Sequence, residues 1–139
     1  MPELPDIAVY LRALDQRITG STLDRIRIRS PFVLRTFDPP TESAGGRACA
    51  AVSRIGKRIV LELEGDLFVV VHLMIAGRWR WSDAPHVWKP QKIDQAAFEF
   101  STGLLVLTET SMKKRASVHI VRGRGGLDVF RAGGVNILE

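Results

Sequence analysis

The residues with the clearest reactive potential open the chain: Met1-Pro2-Glu3. Proline is small enough for a preceding initiator methionine to be removed, and removal leaves a secondary amine at the terminus. An α-amino group titrates at about 7.7–8.0, so a useful fraction is neutral and nucleophilic near neutral pH. A secondary amine that attacks an aldehyde or a sugar C1′ gives a charged iminium, an electron sink that eases elimination at neighbouring carbons. Glu3 follows directly and is placed to move protons to and from the reacting atoms. Taken by itself, Pro2 reads first as an ordinary helix-entry residue, and Pro5 suits a first helical turn.

Other reactive side chains are less informative. His72, His86 and His119 show no ligand spacing with Cys49, so no metal site is expected. His72 ends an apolar run and reads as a hydrogen-bonded structural histidine. Cys49, the only cysteine, has no internal disulfide partner and reads as a small buried hydrophobe in a reducing cytoplasm. The net charge is +5 and the sequence pI about 10.0. The cations fall in short groups: Arg25/Arg27/Arg29, Arg54/Lys57/Arg58, Arg78/Arg80, Lys113/Lys114/Arg115 and Arg122/Arg124. Alternation on a strand puts such residues on one face, which suits a polyanion such as nucleic acid, although ordinary surface charge reads the same way. Trp79 and Trp81 alternate with Arg78 and Arg80. They offer a stacking face for bases, but packing in a core is the preferred reading.

The elements that must position these residues are legible in outline. Ile7, Leu11, Leu14 and Ile18 recur at helical spacing, with Pro5 at the entry and Gly20 at the exit, which predicts a helix over 5–18. The chain beyond it reads as strands at 25–29, 59–64, 67–73, 76–82, 95–101, 103–109 and 115–122. Leu67 to Leu73 is apolar except for His72, as a central strand buried on both faces would be. Asp83 to Lys92, with Pro85 and Pro90, reads as a surface loop. The stretch from Arg122 to Gly134 reads as a flexible glycine- and arginine-rich tail ending in Val135–Glu139. The predicted fold is mainly β: a β-sandwich with a long N-terminal helix, in one domain over 1–139. No run of 18 apolar residues spans a membrane, the start is not a secretory signal, and no internal repeat is present.

Met1-Pro2-Glu3-Leu4-Pro5, then a helix, then Gly56-Lys57 opening a strand, then His72-Leu73 ending a buried one, together resemble the formamidopyrimidine-DNA glycosylase/endonuclease VIII family. The likeness spans essentially the whole chain and corresponds to that family's N-terminal catalytic domain. It implies a base-excision repair enzyme, a DNA glycosylase that is also an abasic-site (AP) lyase, acting as a monomer on damaged double-stranded DNA. It also implies a bacterial-type cytoplasm, at the nucleoid. Such enzymes flip the oxidised base out of the duplex to reach its glycosidic carbon. By the resemblance, the nitrogen of Pro2 attacks C1′ and displaces the base, and the Schiff base then undergoes β- and δ-elimination. Glu3 matches the acidic residue for proton transfer, and Lys57 matches the lysine that contacts phosphate beside the lesion.

The chain departs from the family pattern in three places. Asp6 stands for a glutamate, with a shorter reach. Met74-Ile75-Ala76-Gly77 stands for Gly-Met-Ser-Gly, whose methionine fills the gap left by the flipped base. By register the wedge is Ile75, with Met74 one place early; either can fill the hole, or both can be core residues. Glu109-Thr110-Ser111-Met112-Lys113-Lys114-Arg115-Ala116 stands for Asp-Pro-Arg-Arg-Phe-Gly. Lys113, Lys114 and Arg115 keep the charge that neutralises DNA backbone, or form a solvated loop; the phenylalanine wedge is lost. The family's helix–two-turns–helix and zinc-finger regions have no counterpart in this sequence. No cofactor is therefore expected in this chain, and weak binding and poor turnover are expected of it alone. Lesion preference stays open. The alternatives are a non-catalytic DNA-binding module that keeps only the basic face, and a β-sandwich interaction domain.

Overall fold

A computed structural model describes residues 2–83 and 88–131. The first helix, α1, runs Leu4–Ile18. Pro5 lies in its first turn, and Glu3 is its N-cap, with the Glu3 backbone N–H donating to Asp6 Oδ2 at 2.9 Å. This satisfies one of the donors a helix start leaves open. α1 buries Ile7, Leu14 and Ile18 and exits through Gly20, whose φ of 87° is a left-handed conformation. Eight strands follow: β1 Thr22–Ile28, β2 Arg47–Ile55, β3 Arg58–Leu63, β4 Leu67–His72, β5 Gly77–Ser82, β6 Asp94–Phe100, β7 Gly103–Glu109 and β8 Ser117–Arg122. A short 3-10 turn, Thr41–Ala44, precedes β2, and a second helix, α2, spans Gly123–Arg131.

The strands form one antiparallel order, β5-β7-β6-β1-β2-β3-β4-β8. β1 and β2 share only the pairs Thr22↔Ala48 and Leu23↔Arg47, so the order divides there into two four-stranded halves. Their inner faces meet in one core. Phe98, Phe100, Leu105 and Leu107 from one half join Leu61, Leu63, Val69, Val71, Val118 and Ile120 from the other, with Ile7, Leu14 and Ile18 of α1. This is the expected sandwich, and burial at about 1.5–3 kcal/mol for each large apolar side chain is the main force closing it.

β4 is buried on both faces, as its run of apolar residues predicts. Leu67, Val69 and Val71 enter the main core, while Phe68 and Val70 face outward under Leu127 and Phe130 of α2. The cover for β4 is thus a helix in the stretch expected to be a flexible tail. Glycine-rich Gly123–Arg131 is a poor helix former in isolation. Leu127 and Phe130, three residues apart, become helical against an apolar face waiting for them. Two arginines close its margins: Arg124 lies 5.5 Å from the Phe68 ring and Arg58 lies 5.3 Å from the Phe130 ring. Residues 132–139 of the expected tail, and 84–87 of the Asp83–Lys92 loop, lie outside the described residues. In the described part of that loop, Trp88 packs on the outer face of the first half, against Ala97, Leu104 and Val106.

A second element was not foreseen. β2 has a bulge between Cys49 and Ala51 and a composition of alanine, serine and arginine, both of which hide its alternation. Cys49 is fully buried, and burial pushes its thiol up to about 11, in keeping with an inert small hydrophobe. Trp79 and Trp81 are partly buried against the main core, so they pack rather than present a stacking face. The cation groups are spoken for more often than the sequence suggests. Arg25 and Arg27 both donate through Nε to the buried carboxylate of Glu99. Arg80 forks onto Asp94 with two bonds of 2.8 Å, and Arg29 Nη1 donates to the carbonyls of Gln91 and Lys92. Among the described residues no helix is long and apolar enough to cross a membrane.

The outer edge of β8 is covered by the chain between β1 and the 3-10 turn. Leu34 makes a parallel bridge to Val118, the Val118 N–H donates to Val33 O at 2.8 Å, and the Arg35 N–H donates to Val118 O at 2.9 Å. Such cover removes an exposed edge that would otherwise pair with another chain.

Candidate functional site

Pro2 is buried where α1 begins, between two depressions. One is an open cleft of about 370 Å³, lined also by Asp6, Val9, Tyr10 and Arg78. The other is a narrow crevice shared with Ile7, Lys57, His72, Leu73 and Met74. Lys57 Nζ lies 3.0 Å from Glu3 Oε2 in an ion pair at the rim. Pro2, Glu3, Lys57 and Met74 are thereby brought together from the helix entry, the β2–β3 turn and the end of β4. The turn that presents Lys57 is tight: Ile55 pairs with Arg58, and Gly56 takes a φ of 60° that a side chain would resist.

Asp6, one methylene shorter than the glutamate it stands for, holds the backbone of Glu3 and faces the open cleft. Pro2, Asp6 and Tyr10 follow at intervals of four, the spacing that stacks side chains along one helical face. That signal was present in the sequence. Arg78 has none, because its place on the cleft depends on the β4–β5 turn. There, Gly77 N–H donates to Leu73 O at 2.8 Å, and a Cβ on Gly77 would stand 2.2 Å from that oxygen. Arg78 Nη1 ties the same turn down through Ile75 O (3.1 Å) and Gly77 O (2.7 Å).

Met74 has a φ of 59°, a left-handed conformation at a position where the family pattern has glycine. It is partly buried and turned into the crevice beside Pro2, whereas Ile75 is 60% exposed at the turn. Neither belongs to the hydrophobic core. Lys113, Lys114 and Arg115 are exposed on the β7–β8 loop. This loop is latched by Glu109, 1% exposed, whose carboxylate accepts the backbone N–H groups of Arg115 and Ala116, while Lys114 Nζ donates to Glu109 O at 2.7 Å. Gly77 pairs with Glu109, and His72 pairs with Ser117. The β4–β5 turn and the β7–β8 loop therefore leave the same end of the sandwich side by side. Met112 is 98% exposed on that loop.

The arrangement offers Pro2 beside the Lys57–Glu3 ion pair, with cations and exposed apolar side chains along one end of the sheet. Among the described residues no three His, Cys, Asp or Glu side chains cluster as metal ligands.

The model of the formamidopyrimidine-DNA glycosylase N-terminal domain matches residues 1–117. The chain belongs to this family. Formamidopyrimidine-DNA glycosylases similar to it include that of Lactococcus lactis subsp. cremoris, 30% identical over 112 residues, covering 78% of this chain and 40% of the relative. That of Pelobacter propionicus is 35% identical over 104 residues, covering 74% and 38%. The chain thus spans less than half the length of these curated relatives. In solved structures, the Lactococcus lactis formamidopyrimidine-DNA glycosylase non-covalently bound to DNA containing an AP site aligns with a TM-score of 0.80. Identity there is 24%, with 92% of this chain and 48% of that one covered. MutM in complex with DNA containing carbocyclic 8-oxo-G aligns with a TM-score of 0.81 at 25% identity, covering 93% and 48%. The formamidopyrimidine-DNA glycosylase fold therefore holds across the sandwich that carries Pro2, Glu3 and Lys57.

Proposed function

We propose that this domain, once Met1 is removed, is the nucleophile-bearing part of a DNA glycosylase with AP lyase activity on oxidised bases in duplex DNA. The observation that carries the reading is the convergence of Pro2 with the Glu3–Lys57 ion pair at the helix entry. The lone pair of the Pro2 nitrogen attacks C1′ of the damaged nucleotide. The glycosidic bond breaks, and the base leaves with the bonding electrons and a proton. The attached nitrogen then gives up its proton, and its lone pair opens the sugar ring: the C1′–O4′ electrons move onto oxygen, which takes a proton, and an iminium is left between Pro2 and C1′. That cation makes the C2′ proton acidic. Its removal drives β-elimination of the 3′ phosphate, and a second elimination releases the 5′ phosphate.

Glu3 is the side chain next to the nitrogen that can give and take these protons, and Lys57, in contact with it, meets a phosphate of the same strand. Met74 and Ile75 occupy the turn nearest the vacated stack, and Lys113, Lys114 and Arg115 neutralise backbone beside it. Borohydride reduction tests the reading. The chain with its methionine removed, verified by mass, should be trapped covalently on abasic-site duplex, and Pro2→Gly should not. A single-turnover adduct needs no efficient catalysis, so its absence from the processed wild-type chain overturns the proposal. Salt-sensitive DNA binding without any adduct would instead favour a non-catalytic binding module.

A further inference from the structure

The β4–β5 turn carries the chain from one half of the sandwich to the other through residues 73–76. Gly77 N–H closes it on Leu73 O. Inside it, Met74 takes a φ of 59°, where an L side chain crowds its own backbone. A glycine would hold that conformation freely. A methionine holds it only where the surroundings over-determine it.

The surroundings include the next strand. Trp79 and Trp81 of β5 pack on the main core, and alternation puts Arg78 and Arg80 on the opposite face. Arg80 commits its guanidinium to Asp94. Arg78, which is exposed, bends back along its own chain instead, and its Nη1 takes both Ile75 O and Gly77 O. Those carbonyls flank Ala76, so one charged nitrogen fixes the course of the backbone just after Met74. Arg78 also lines the open cleft with Pro2, Asp6 and Tyr10, while Met74 lines the narrow crevice with Pro2, Ile7 and Lys57. Pro2 therefore stands between Arg78 and the side chain whose turn Arg78 ties down.

We propose that Arg78 is a positioning residue for the Pro2 reaction, holding the β4–β5 turn in the shape that keeps Met74 in the crevice beside Pro2. Freed from Arg78, the turn relaxes, Met74 leaves its left-handed conformation, and the space it vacates lets Pro2 shift. A displacement of the attacking atom by about 1 Å can cost a hundredfold in rate, so a modest relaxation is enough to be read. The inference rests on the proposed attack by Pro2, and Arg78 itself touches neither the sugar nor the phosphates.

The test is single-turnover borohydride trapping of the processed chain on abasic-site duplex, with the rate followed against DNA concentration. Arg78→Met keeps the aliphatic stem and removes the donors. It should slow adduct formation at saturating DNA about tenfold and leave the half-saturating DNA concentration nearly unchanged. Arg78→Lys, whose ammonium can donate to both carbonyls, should recover most of the rate. In a Met74→Gly chain the turn no longer needs the two bonds, so adding Arg78→Met should slow trapping by less than about twofold further. Deuterium exchange at the Gly77 amide should quicken in Arg78→Met and return toward wild type in Arg78→Lys.

The proposal is overturned if Arg78→Met traps as fast as wild type, if Arg78→Lys is no better than Arg78→Met, or if Gly77 exchange does not change. A full slowing that persists in the Met74→Gly chain also overturns it, since Arg78 then does not act through Met74. So does a raised half-saturating DNA concentration with the slope of log affinity against log salt reduced by about one, because Arg78 is then a phosphate contact. The two readings fail differently. No adduct from the wild-type chain removes the Pro2 chemistry and this role with it, whereas equal adducts from wild type and Arg78→Met remove only the role of Arg78.

Discussion

An ion pair at the rim of a site can hold a side chain in place without adding much to stability. Glu3 is 63% exposed and Lys57 31%, so their 3.0 Å contact is screened by solvent and is worth well under about 1 kcal/mol to the fold. Its use lies in orientation, because it fixes a carboxylate beside Pro2. Glu3→Gln is therefore expected to leave the thermal midpoint nearly unchanged while slowing borohydride adduct formation by about a hundredfold, the ordinary scale of lost proton transfer. A melting curve and a trapping time course on the same preparation check it. Pro2, Glu3 and Lys57 were readable because they sit within short motifs whose order along the chain is itself informative. Arg78 was not. Its place on the cleft comes from the β4–β5 turn, and no local pattern announces it.

The elements differ in how they are specified. α1 announces itself through apolar spacing and its proline entry, and the strands on the inner faces through alternation. α2 does neither, since its glycines oppose helix formation and its apolar residues gain order only from Phe68 and Val70 beneath them. Leu127→Ala removes the fully buried anchor of this element and should cost about 2–4 kcal/mol, read from urea denaturation. Loss of α2 alone would appear as a separate, earlier transition. The alternating arginines illustrate a further limit. Their placement on one face of β1 was legible, but Glu99, which pairs with both Arg25 and Arg27, lies more than seventy residues away, so a basic stripe on paper is partly offset in the fold.

At the scale of the molecule, the outer face of the first half is held by a buried carboxylate. Burial by itself would raise the Asp94 carboxyl, but bonds from Arg80, the Gln91 N–H and Trp88 Nε1 outweigh it and hold the group below the ordinary carboxylate range. A carboxylate depressed in the folded state contributes stability that is full above its unfolded value, about 3.9, and is lost as pH falls through the folded one. Urea midpoints measured from about pH 5 downward should fall in the wild-type chain. Asp94→Asn should be less stable at neutral pH and show a shallower acid decline.

The sparse seam between β1 and β2 also bears on how the chain comes to be folded. β2, β3 and β4 are consecutive hairpins that close short loops at small entropic cost, whereas β1 must wait for β6, and β8 must return to β4 across the whole intervening half. With only two residue pairs joining the halves along the sheet, strand pairing in one does little to align strands in the other before the shared core closes. In pulse-labelled refolding, amides of β3 and their partners in β2 and β4 should gain protection first, and those of β8 late. The end of the sheet that holds Lys57 would then be assembled before the β8 edge that the Leu34 segment covers.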